Sequence, residues 1–184
     1  PRTASYKLLD LVGIDVIVSV MENVPGLLPN DESRDLFKPT ATLKRLVEEG
    51  RLGRKSGAGF YKKEGKDILV LDPDTFEYRA RQEVAFESLA SQKGEKGLGA
   101  KIQKLISGDD AAAQFAWKHL SGVLCYSARR IPEISDTVVS IDQALRWGFA
   151  WEQGPFEIWD GIGVRESVER MDREGMDVPA NVID

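Results

Sequence analysis

The chain has 184 residues, with 25 basic and 30 acidic side chains, a net charge of −5 and a pI near 5.1. Its cations are scattered along the chain instead of forming a stripe, which argues against nucleic-acid binding. No apolar run approaches the roughly 18 residues of a membrane span, and no signal-peptide pattern opens the chain. The single cysteine, Cys125, allows no internal disulfide and fits a reducing cytoplasm.

The first predicted element is one long helix over residues 6–21, because apolar residues recur on more than one side of it. Val24-Pro25-Gly26 is predicted to end it. Residues 26–38 mix Pro, Asn and Asp with apolar residues, which predicts a loop with a short helix. A second helix is predicted over residues 40–49, where apolar residues fall at i, i+3 and i+4.

A small β-hairpin follows. Phe60-Tyr61 is predicted to be extended, residues 62–66 to form the turn, and residues 68–71 to return before Pro73. Residues 73–108 are rich in glycine and charge, so they predict a linker, with a helix inside it over residues 100–106.

The second half of the chain predicts three more helices. The first is a long helix capped by Asp109 or Asp110 that ends near residue 127. The second covers residues 138–149 and follows Pro132 and then Ser135 or Asp136. The last begins at Pro155 and ends near residue 174. These elements predict a mostly α architecture.

The densest motif is GRLGRKSGAGFY at residues 50–61. Gly50 and Gly53 suit a helix end followed by a tight reversal. Arg51, Arg54 and Lys55 could address an anionic cofactor or a neighbouring domain; the alternative is a solvated basic turn with a structural cap. The motif follows a helix and precedes a strand, so it is not a nucleotide-binding glycine loop.

An internal repeat is visible without reference to any family. Shifting the chain by 150 residues superimposes residues 6–21 on 156–171, with identical pairs at 10/160, 13/163, 18/168 and 21/171. The shared pattern predicts two copies of one helical unit in tandem. Each copy lacks a part that the other has, so we expect a fragment of a longer polypeptide.

Catalytic and metal-binding constellations are scarce. His119 is the only histidine, and its neighbours do not resemble a base with an orienting partner. Cys125 is interpreted as a small buried hydrophobe, and the four tryptophans as core residues. Neither zinc-type nor calcium-type spacing is present, so the sequence predicts no metal site and no catalytic residue.

Three stretches together resemble the C-terminal helical domain of 3-hydroxyacyl-CoA dehydrogenases. They are the run at 50–61, the LDLVGID segment at 9–15, and a series in the second half that comprises RIPEI at 130–134, SIDQA at 140–144, WGF at 147–149 and GPFEIWD at 154–160. The resemblance covers most of residues 1–61 and 126–172.

The resemblance implies two helical units of the type found in the C-terminal domain of 6-phosphogluconate dehydrogenase, with a small β-hairpin after the first. We expect residues 1–72 to form a first C-terminal domain that lacks its N-terminal part. Residues 73–108 would link it to a second such domain at 109–184, which lacks its C-terminal part.

The resemblance also implies an activity for the parent protein, the NAD-dependent oxidation of 3-hydroxyacyl-CoA in fatty-acid β-oxidation. In the family a His-Glu pair in or near an N-terminal Rossmann domain does the chemistry, so this chain alone is expected to be inactive. The family's NAD-contacting lysine aligns with Lys55. Implied partners are acyl-CoA, the Rossmann domain and an enoyl-CoA hydratase module, and the helical domains would form a homodimer or an intramolecular pseudo-dimer.

A second hypothesis stays open at this point. The same helices could serve as a non-catalytic scaffold or an acyl-CoA-binding module. A Rossmann glycine fingerprint with its His and Glu upstream would favour the enzyme, and its absence would favour the scaffold.

Overall fold

The computed structural model describes residues 4–183, and the chain divides into two compact units, one that ends at Glu83 and one that begins at Val84. Residues 1–3 and 184, at the outer ends of the two predicted domains, lie outside the described residues. The described residues are mostly helical and carry one small antiparallel sheet, which confirms the predicted fold class.

The first unit contains three α-helices, two short 3₁₀ turns and three strands. In chain order they are α1 Ser5–Val12, α2 Ile14–Leu27, a 3₁₀ turn at Arg34–Phe37, α3 Ala41–Glu48, a 3₁₀ turn at Arg54–Ser56, β1 Tyr61–Glu64, β2 Asp67–Leu71 and β3 Tyr78–Ala80.

The regular elements described in the second unit are all helices. Its elements are α4 Glu87–Ser91, a 3₁₀ turn at Gln92–Gly94, α5 Leu98–Ile106, α6 Ala111–Arg129, α7 Val138–Phe149, α8 Pro155–Ile162, α9 Val164–Arg173 and α10 Ala180–Ile183.

The two predicted repeat helices are each broken at the same place. Gly13 separates α1 from α2 with φ 108°, and Gly163 separates α8 from α9 with φ 91°. A positive φ cannot continue a right-handed helix, so each glycine turns the chain between two shorter helices. The prediction of one continuous helix was therefore wrong in both copies, because periodicity does not show a break that leaves the apolar pattern intact. The break itself follows the 150-residue repeat.

Pro25 does not end α2 as predicted. The helix continues through it to Leu27, and the N–H of Leu28 donates to the carbonyl O of Val24 at 3.0 Å. Because Pro25 lies in the last turn, its missing N–H removes only one hydrogen bond near an end that already has unpaired groups.

Side-chain caps fix several helix starts. Thr40 Oγ1 accepts from the N–H of Leu43 at 3.3 Å, and Asp110 Oδ1 accepts from the N–H of Ala113 at 3.0 Å. Asp110 is thus the cap among the two candidates. Thr137, not Ser135 or Asp136, caps α7 by accepting from the N–H of Ser140. Each cap satisfies a backbone donor that the helix leaves free.

The predicted hairpin exists and is longer than expected. β1 runs to Glu64, so the turn narrows to Gly65-Lys66, and β1 pairs with β2 in the register Tyr61↔Val70 and Lys63↔Ile68. Pro73 does not end the sheet, because the chain reverses and returns as β3 beside β2. Phe76 lies in this reversal with a positive φ of 63° and is only 3% exposed, so burial of its ring offsets its backbone strain.

A linker was predicted over residues 73–108. Of these, Tyr78–Ala80 form β3 of the first unit, and residues 84–108 belong to the second unit. The helix predicted over 100–106 is present as α5, which begins two residues earlier, at Leu98. α5 packs on α8 so closely that a Cβ atom on Gly99 would lie 2.7 Å from the carbonyl O of Gly161. Two facing glycines let the helix backbones touch, and a glycine count alone cannot distinguish such a contact from a flexible linker.

Each unit has its own apolar core. In the first unit the buried residues are Ile14, Val18, Leu43, Leu46, Leu71 and Phe76. In the second they are Ile106, Trp117, Leu124, Cys125, Ala128, Ile158, Trp159, Ile162 and Met171. No helix within residues 4–183 has the length and apolarity to cross a membrane.

Candidate functional site

The basic turn at residues 50–59 begins where α3 ends. The N–H of Gly50 donates to the carbonyl O of Val47 at 3.0 Å, and the N–H of Arg51 donates to that of Leu46 at 2.8 Å. Gly50 has φ 70°, which completes the two-bond helix ending known as the Schellman motif. The predicted role of Gly50 as a helix terminator is consistent with this geometry.

The turn is fixed to α1 by the carboxylate of Asp10. Its Oδ1 accepts from the N–H of Phe60 at 2.8 Å, and its Oδ2 accepts from the N–H of Tyr61 at 2.9 Å. Asp10 is only 5% exposed, and burial raises its pKa, although the two hydrogen bonds act in the opposite direction. One side chain therefore holds the start of β1 against α1 across fifty residues of sequence.

Two glycines make this approach possible. A Cβ atom on Gly53 would lie 2.4 Å from the carbonyl O of Asp10, and one on Gly59 would lie 2.2 Å from Asp10 Oδ1. Any larger residue at either position would collide with the anchor. The spacing of glycines in the motif is thus explained by contact with α1.

Hydrogen bonds within the turn also fix its shape. Ser56 Oγ accepts from the N–H of Leu52 at 2.7 Å, and the N–H of Gly53 donates to the carbonyl O of Ala58 at 2.8 Å. From outside, the hydroxyl of Tyr78 donates to the carbonyl O of Gly59 at 2.6 Å. The turn is rigidly held on both sides, which suits a segment that positions charged side chains.

Lys55 projects from this turn over the break between α1 and α2. Its Nζ donates to Asp15 Oδ2 at 2.7 Å and lies 2.5 Å from Oδ1. The Lys55 side chain is 47% exposed, and the hydrogen bond from Lys55 lowers the pKa of Asp15. The ion pair limits where the ammonium group can lie, while solvent still reaches it.

The other two cations of the motif have different surroundings. Arg51 turns inward, where its guanidinium donates to the carbonyl O of Phe76 at 2.9 Å and pairs with Glu49 at 2.8 Å. It therefore joins the turn to the loop between β2 and β3. Arg54 is exposed and lines a surface groove with α1 and the sheet. Of the three predicted cations, Lys55 and Arg54 remain accessible to a ligand, and Arg51 is structural.

The second unit contains residues that the sequence analysis interpreted as structural. Cys125 is 2% exposed, with its Sγ 3.7 Å from Met171 Sδ, and burial raises the pKa of its thiol. Trp117 and Trp159 are also buried, whereas Trp147 is 77% exposed and departs from the expected core role. His119 is exposed on α6, with its ring parallel to that of Phe115.

No group of three or more His, Cys, Asp or Glu side chains in the described part of the chain is arranged to hold a metal ion. The anchoring role of Asp10 and the partners Asp15 and Tyr78 were not predicted from the sequence. The paired identity at positions 10 and 160 was the available signal, but it gave no indication of what Asp10 contacts.

Comparisons of the sequence and the structure with known proteins find similar proteins of one kind. Residues 1–63 match the sequence family described as "3-hydroxyacyl-CoA dehydrogenase, C-terminal domain". A Bacillus subtilis protein named "Probable 3-hydroxyacyl-CoA dehydrogenase" is 42% identical over 179 residues, which are 97% of this chain and 23% of that protein. The mitochondrial hydroxyacyl-coenzyme A dehydrogenase of Sus scrofa is 37% identical over 57 residues, or 31% of this chain and 17% of that protein.

A third relative, from Rickettsia felis, is named as a fatty acid oxidation complex trifunctional enzyme and is 24% identical over 86% of this chain and 21% of its own length. The crystal structure of 3-hydroxybutyryl-CoA dehydrogenase from Escherichia coli has a similar fold, with a TM-score of 0.57 at 18% identity over 96% of this chain and 49% of that chain. The chain spans about a quarter of the Bacillus protein and a smaller share of the other two relatives. The chain is therefore similar to proteins named 3-hydroxyacyl-CoA dehydrogenase along most of its length, and its residues 1–63 match the family of their C-terminal domains.

Proposed function

We propose that this chain is part of an NAD-dependent 3-hydroxyacyl-CoA dehydrogenase of fatty-acid β-oxidation. The observation that carries the proposal is the 42% identity to the Bacillus subtilis protein across 97% of this chain. In such an enzyme a base removes the hydroxyl proton of a 3-hydroxyacyl thioester while C3 transfers hydride to the nicotinamide. The chain supplies helices on the substrate side, and the reacting groups belong to the Rossmann domain of the parent.

We assign the NAD contact to Lys55, and its geometry supports this assignment. An ammonium group has three N–H donors, and the carboxylate of Asp15 does not exhaust them. The ion pair holds Nζ above the N-terminus of α2, where it can donate to a phosphate or carboxamide oxygen. Because the ion pair already restricts the lysine side chain, less conformational entropy is lost when the cofactor binds.

The test of the Lys55 assignment uses the intact parent enzyme. Lys55→Ala should weaken NADH binding about tenfold and lower kcat/KM to a similar degree, since one charge-assisted hydrogen bond is lost. Lys66→Ala is the matched control, because Lys66 is an exposed lysine in the turn between β1 and β2. Unchanged NADH affinity in Lys55→Ala, or an equal loss in the control, would refute the assignment.

The proposal for the whole chain has a separate test. Calorimetric titration of NADH and acetoacetyl-CoA into the 184-residue chain and into the parent should show binding to the parent alone. A parent that binds acetoacetyl-CoA but does not oxidise 3-hydroxybutyryl-CoA with NAD would instead support the scaffold or acyl-CoA-binding hypothesis.

We further propose that the helical region takes part in assembly, as a homodimer or as an intramolecular pseudo-dimer, in the cytoplasm. Exposed apolar residues at four-residue intervals on the first helix pair favour this role; they are Leu8, Val12, Val16 and Val20, each between 44% and 52% exposed. Exposed apolar residues of this kind are typical of surfaces that pack against another element. The name of the Rickettsia felis relative favours a parent that carries further modules, such as an enoyl-CoA hydratase.

Light scattering of the parent and of a Val16→Glu, Val20→Glu variant would test the assembly role. We expect the double variant to shift the parent toward the smaller species. An unchanged mass, together with unchanged thermal stability, would contradict it.

A further inference from the structure

A surface groove of about 500 Å³ lies beside the basic turn in the first unit. Three elements form its walls: α1, the turn at residues 54–57, and the sheet. Its lining residues are Lys7, Asp10, Leu11, Arg54, Gly57, Tyr61, Lys63 and Ile68. Lys55, the proposed NAD contact, is not among them, because its side chain extends toward Asp15. Its volume is in the range of pockets that hold small organic ligands.

The groove has three cations on its rim. Lys7 comes from α1, Arg54 from the turn and Lys63 from β1, and all three side chains are exposed. Within residues 4–183 none of them forms an ion pair, whereas Lys38, Arg45, Arg51, Lys55, Lys62 and Arg79 of the same unit all do. Arg34, Lys44, Lys66 and Arg81 of this unit likewise form no ion pair with a described residue, but they do not line the groove. What distinguishes Lys7, Arg54 and Lys63 is that three unpaired cations meet at one groove.

Strand alternation explains why Lys63 faces the groove. Tyr61 and Lys63 are two residues apart and lie on one face of the sheet, and Ile68 is directly opposite Lys63 across the ladder. Lys62 lies on the other face, where it pairs with Glu64. On α1, Lys7 and Leu11 are four residues apart and share one face of the helix.

One acidic group, the carboxylate of Asp10, lies at the floor of the groove. Its two oxygens are occupied by backbone N–H donors, at 2.8 and 2.9 Å. Beside it, Leu11 and Ile68 expose 56% and 60% of their surface, and with the ring of Tyr61 they form an apolar strip. The groove therefore offers cations at its rim and an apolar surface between them.

We propose that this groove binds the phosphate groups of a multiply phosphorylated ligand, with Arg54, Lys63 and Lys7 as the phosphate contacts. Arg54 presents a planar fork that suits a phosphate, and the two lysines supply point charges. The apolar strip would take the organic part of a nucleotide, if the phosphates belong to one. Free polyphosphate and a nucleoside triphosphate share the phosphate chemistry, and the experiment distinguishes them.

The test titrates sodium tripolyphosphate and ATP, at matched ionic strength and without divalent metal, into the 184-residue chain. Chemical shifts of the backbone amides of residues 54–63 report binding at the groove. Binding should weaken with added salt, because the rim charges are exposed. Tighter binding of ATP would identify a nucleotide as the ligand class, and equal affinities would identify the phosphate chain alone; both results support the groove as the site.

Variants decide whether the binding is local. Arg54→Gln and Lys63→Gln should each weaken binding about fivefold, the effect of one exposed charge-assisted contact. Lys44→Gln is the control, since it removes an exposed cation from α3 outside the groove. Equal weakening by Lys44→Gln would show attraction to overall charge only, and the absence of binding by either compound would overturn the proposal.

The outcome is independent of the proposed dehydrogenase role. Lys55→Gln should leave tripolyphosphate binding within twofold of the unmodified chain, because Lys55 is paired with Asp15 outside the groove. A loss as large as that of Arg54→Gln would place the bound phosphate at Lys55 and overturn the assignment to the groove. The four substituted side chains are exposed, and unchanged thermal unfolding would confirm that each variant is folded.

Discussion

The carboxylate of Asp10 occupies the space that a side chain on Gly59 would need: a Cβ atom there would lie 2.2 Å from Asp10 Oδ1. The two residues are 49 positions apart in the chain, and their contact joins α1 to the start of the sheet. The glycines of the basic turn and the aspartate of the first repeat helix therefore act as one structural unit.

The anchor can be tested at Asp10 itself. Asp10→Asn keeps one oxygen acceptor and turns an amide group toward the second backbone donor, so the first unit should lose about 1–3 kcal/mol of unfolding free energy. The measurement is hydrogen exchange at the amides of Phe60 and Tyr61. Asp160→Asn changes the equivalent residue of the repeat, which is exposed, and should stay within about 0.5 kcal/mol of the original chain. Equal effects of the two changes would contradict the anchoring role.

Substitutions at Gly59 and Gly57 distinguish the effect of steric crowding from the effect of backbone strain on stability. Gly59 has an ordinary φ but no room, so Gly59→Ala should cost more than about 2 kcal/mol through crowding and broken hydrogen bonds. Gly57 has open space but φ 81°, so Gly57→Ala should cost about 1–2 kcal/mol from strain alone. Hydrogen exchange of the first unit measures both. A larger loss in Gly57→Ala than in Gly59→Ala would show that the close approach is not needed.

Two aspartates near the break between α1 and α2 should have pKa values shifted in opposite directions from 3.8. Burial raises the pKa of Asp10 above 3.8, so its contribution to stability falls as pH rises from 3.8 through the raised value. The hydrogen bond from Lys55 lowers the pKa of Asp15 below 3.8, so its contribution is present above 3.8 and is lost as pH falls through the lowered value. Carboxyl ¹³C titration by NMR measures both midpoints.

Lys55→Gln supplies the matched comparison for that titration. It should move the midpoint of Asp15 up toward 3.8 and leave that of Asp10 unchanged, because Asp10 is held by the backbone of Phe60 and Tyr61. An Asp15 midpoint that does not respond would mean that the ion pair is not formed in solution.

The helix contact in the second unit can be followed by fluorescence, because all four tryptophans lie beyond residue 84. Gly99→Ala should push α5 away from the backbone of Gly161 and cost about 1–3 kcal/mol by overpacking. Gly122→Ala is the control: it lies in α6 with open space around it, so alanine should stabilise the helix by about 0.5–1 kcal/mol. If Gly99→Ala were also stabilising, α5 would not be packed as the structure has it.

Local sequence rules predicted much of the fold. The helix end at Gly50, the cap at Asp110, the start of α8 at Pro155 and the hairpin all follow from short-range chemistry, because capping and turn formation involve residues within a few positions of each other. The helix break at Gly13 was missed, because the apolar pattern continues across it. The predicted linker over 73–108 contains Gly99, and nothing in the sequence indicates that Gly99 meets Gly161 in a close helix contact.

The sequence by itself determined the mostly α architecture, the 150-residue repeat and the position of the basic turn, since each is written in local pattern or in self-similarity. Only the tertiary structure decided what the turn contacts. Asp10 meets Phe60 and Tyr61, Lys55 meets Asp15, and Arg54 and Lys63 come to the same groove as Lys7, all across about forty to sixty residues of chain. Such contacts depend on how the helices and the sheet pack, and packing is set by the whole core of the unit rather than by neighbours in sequence.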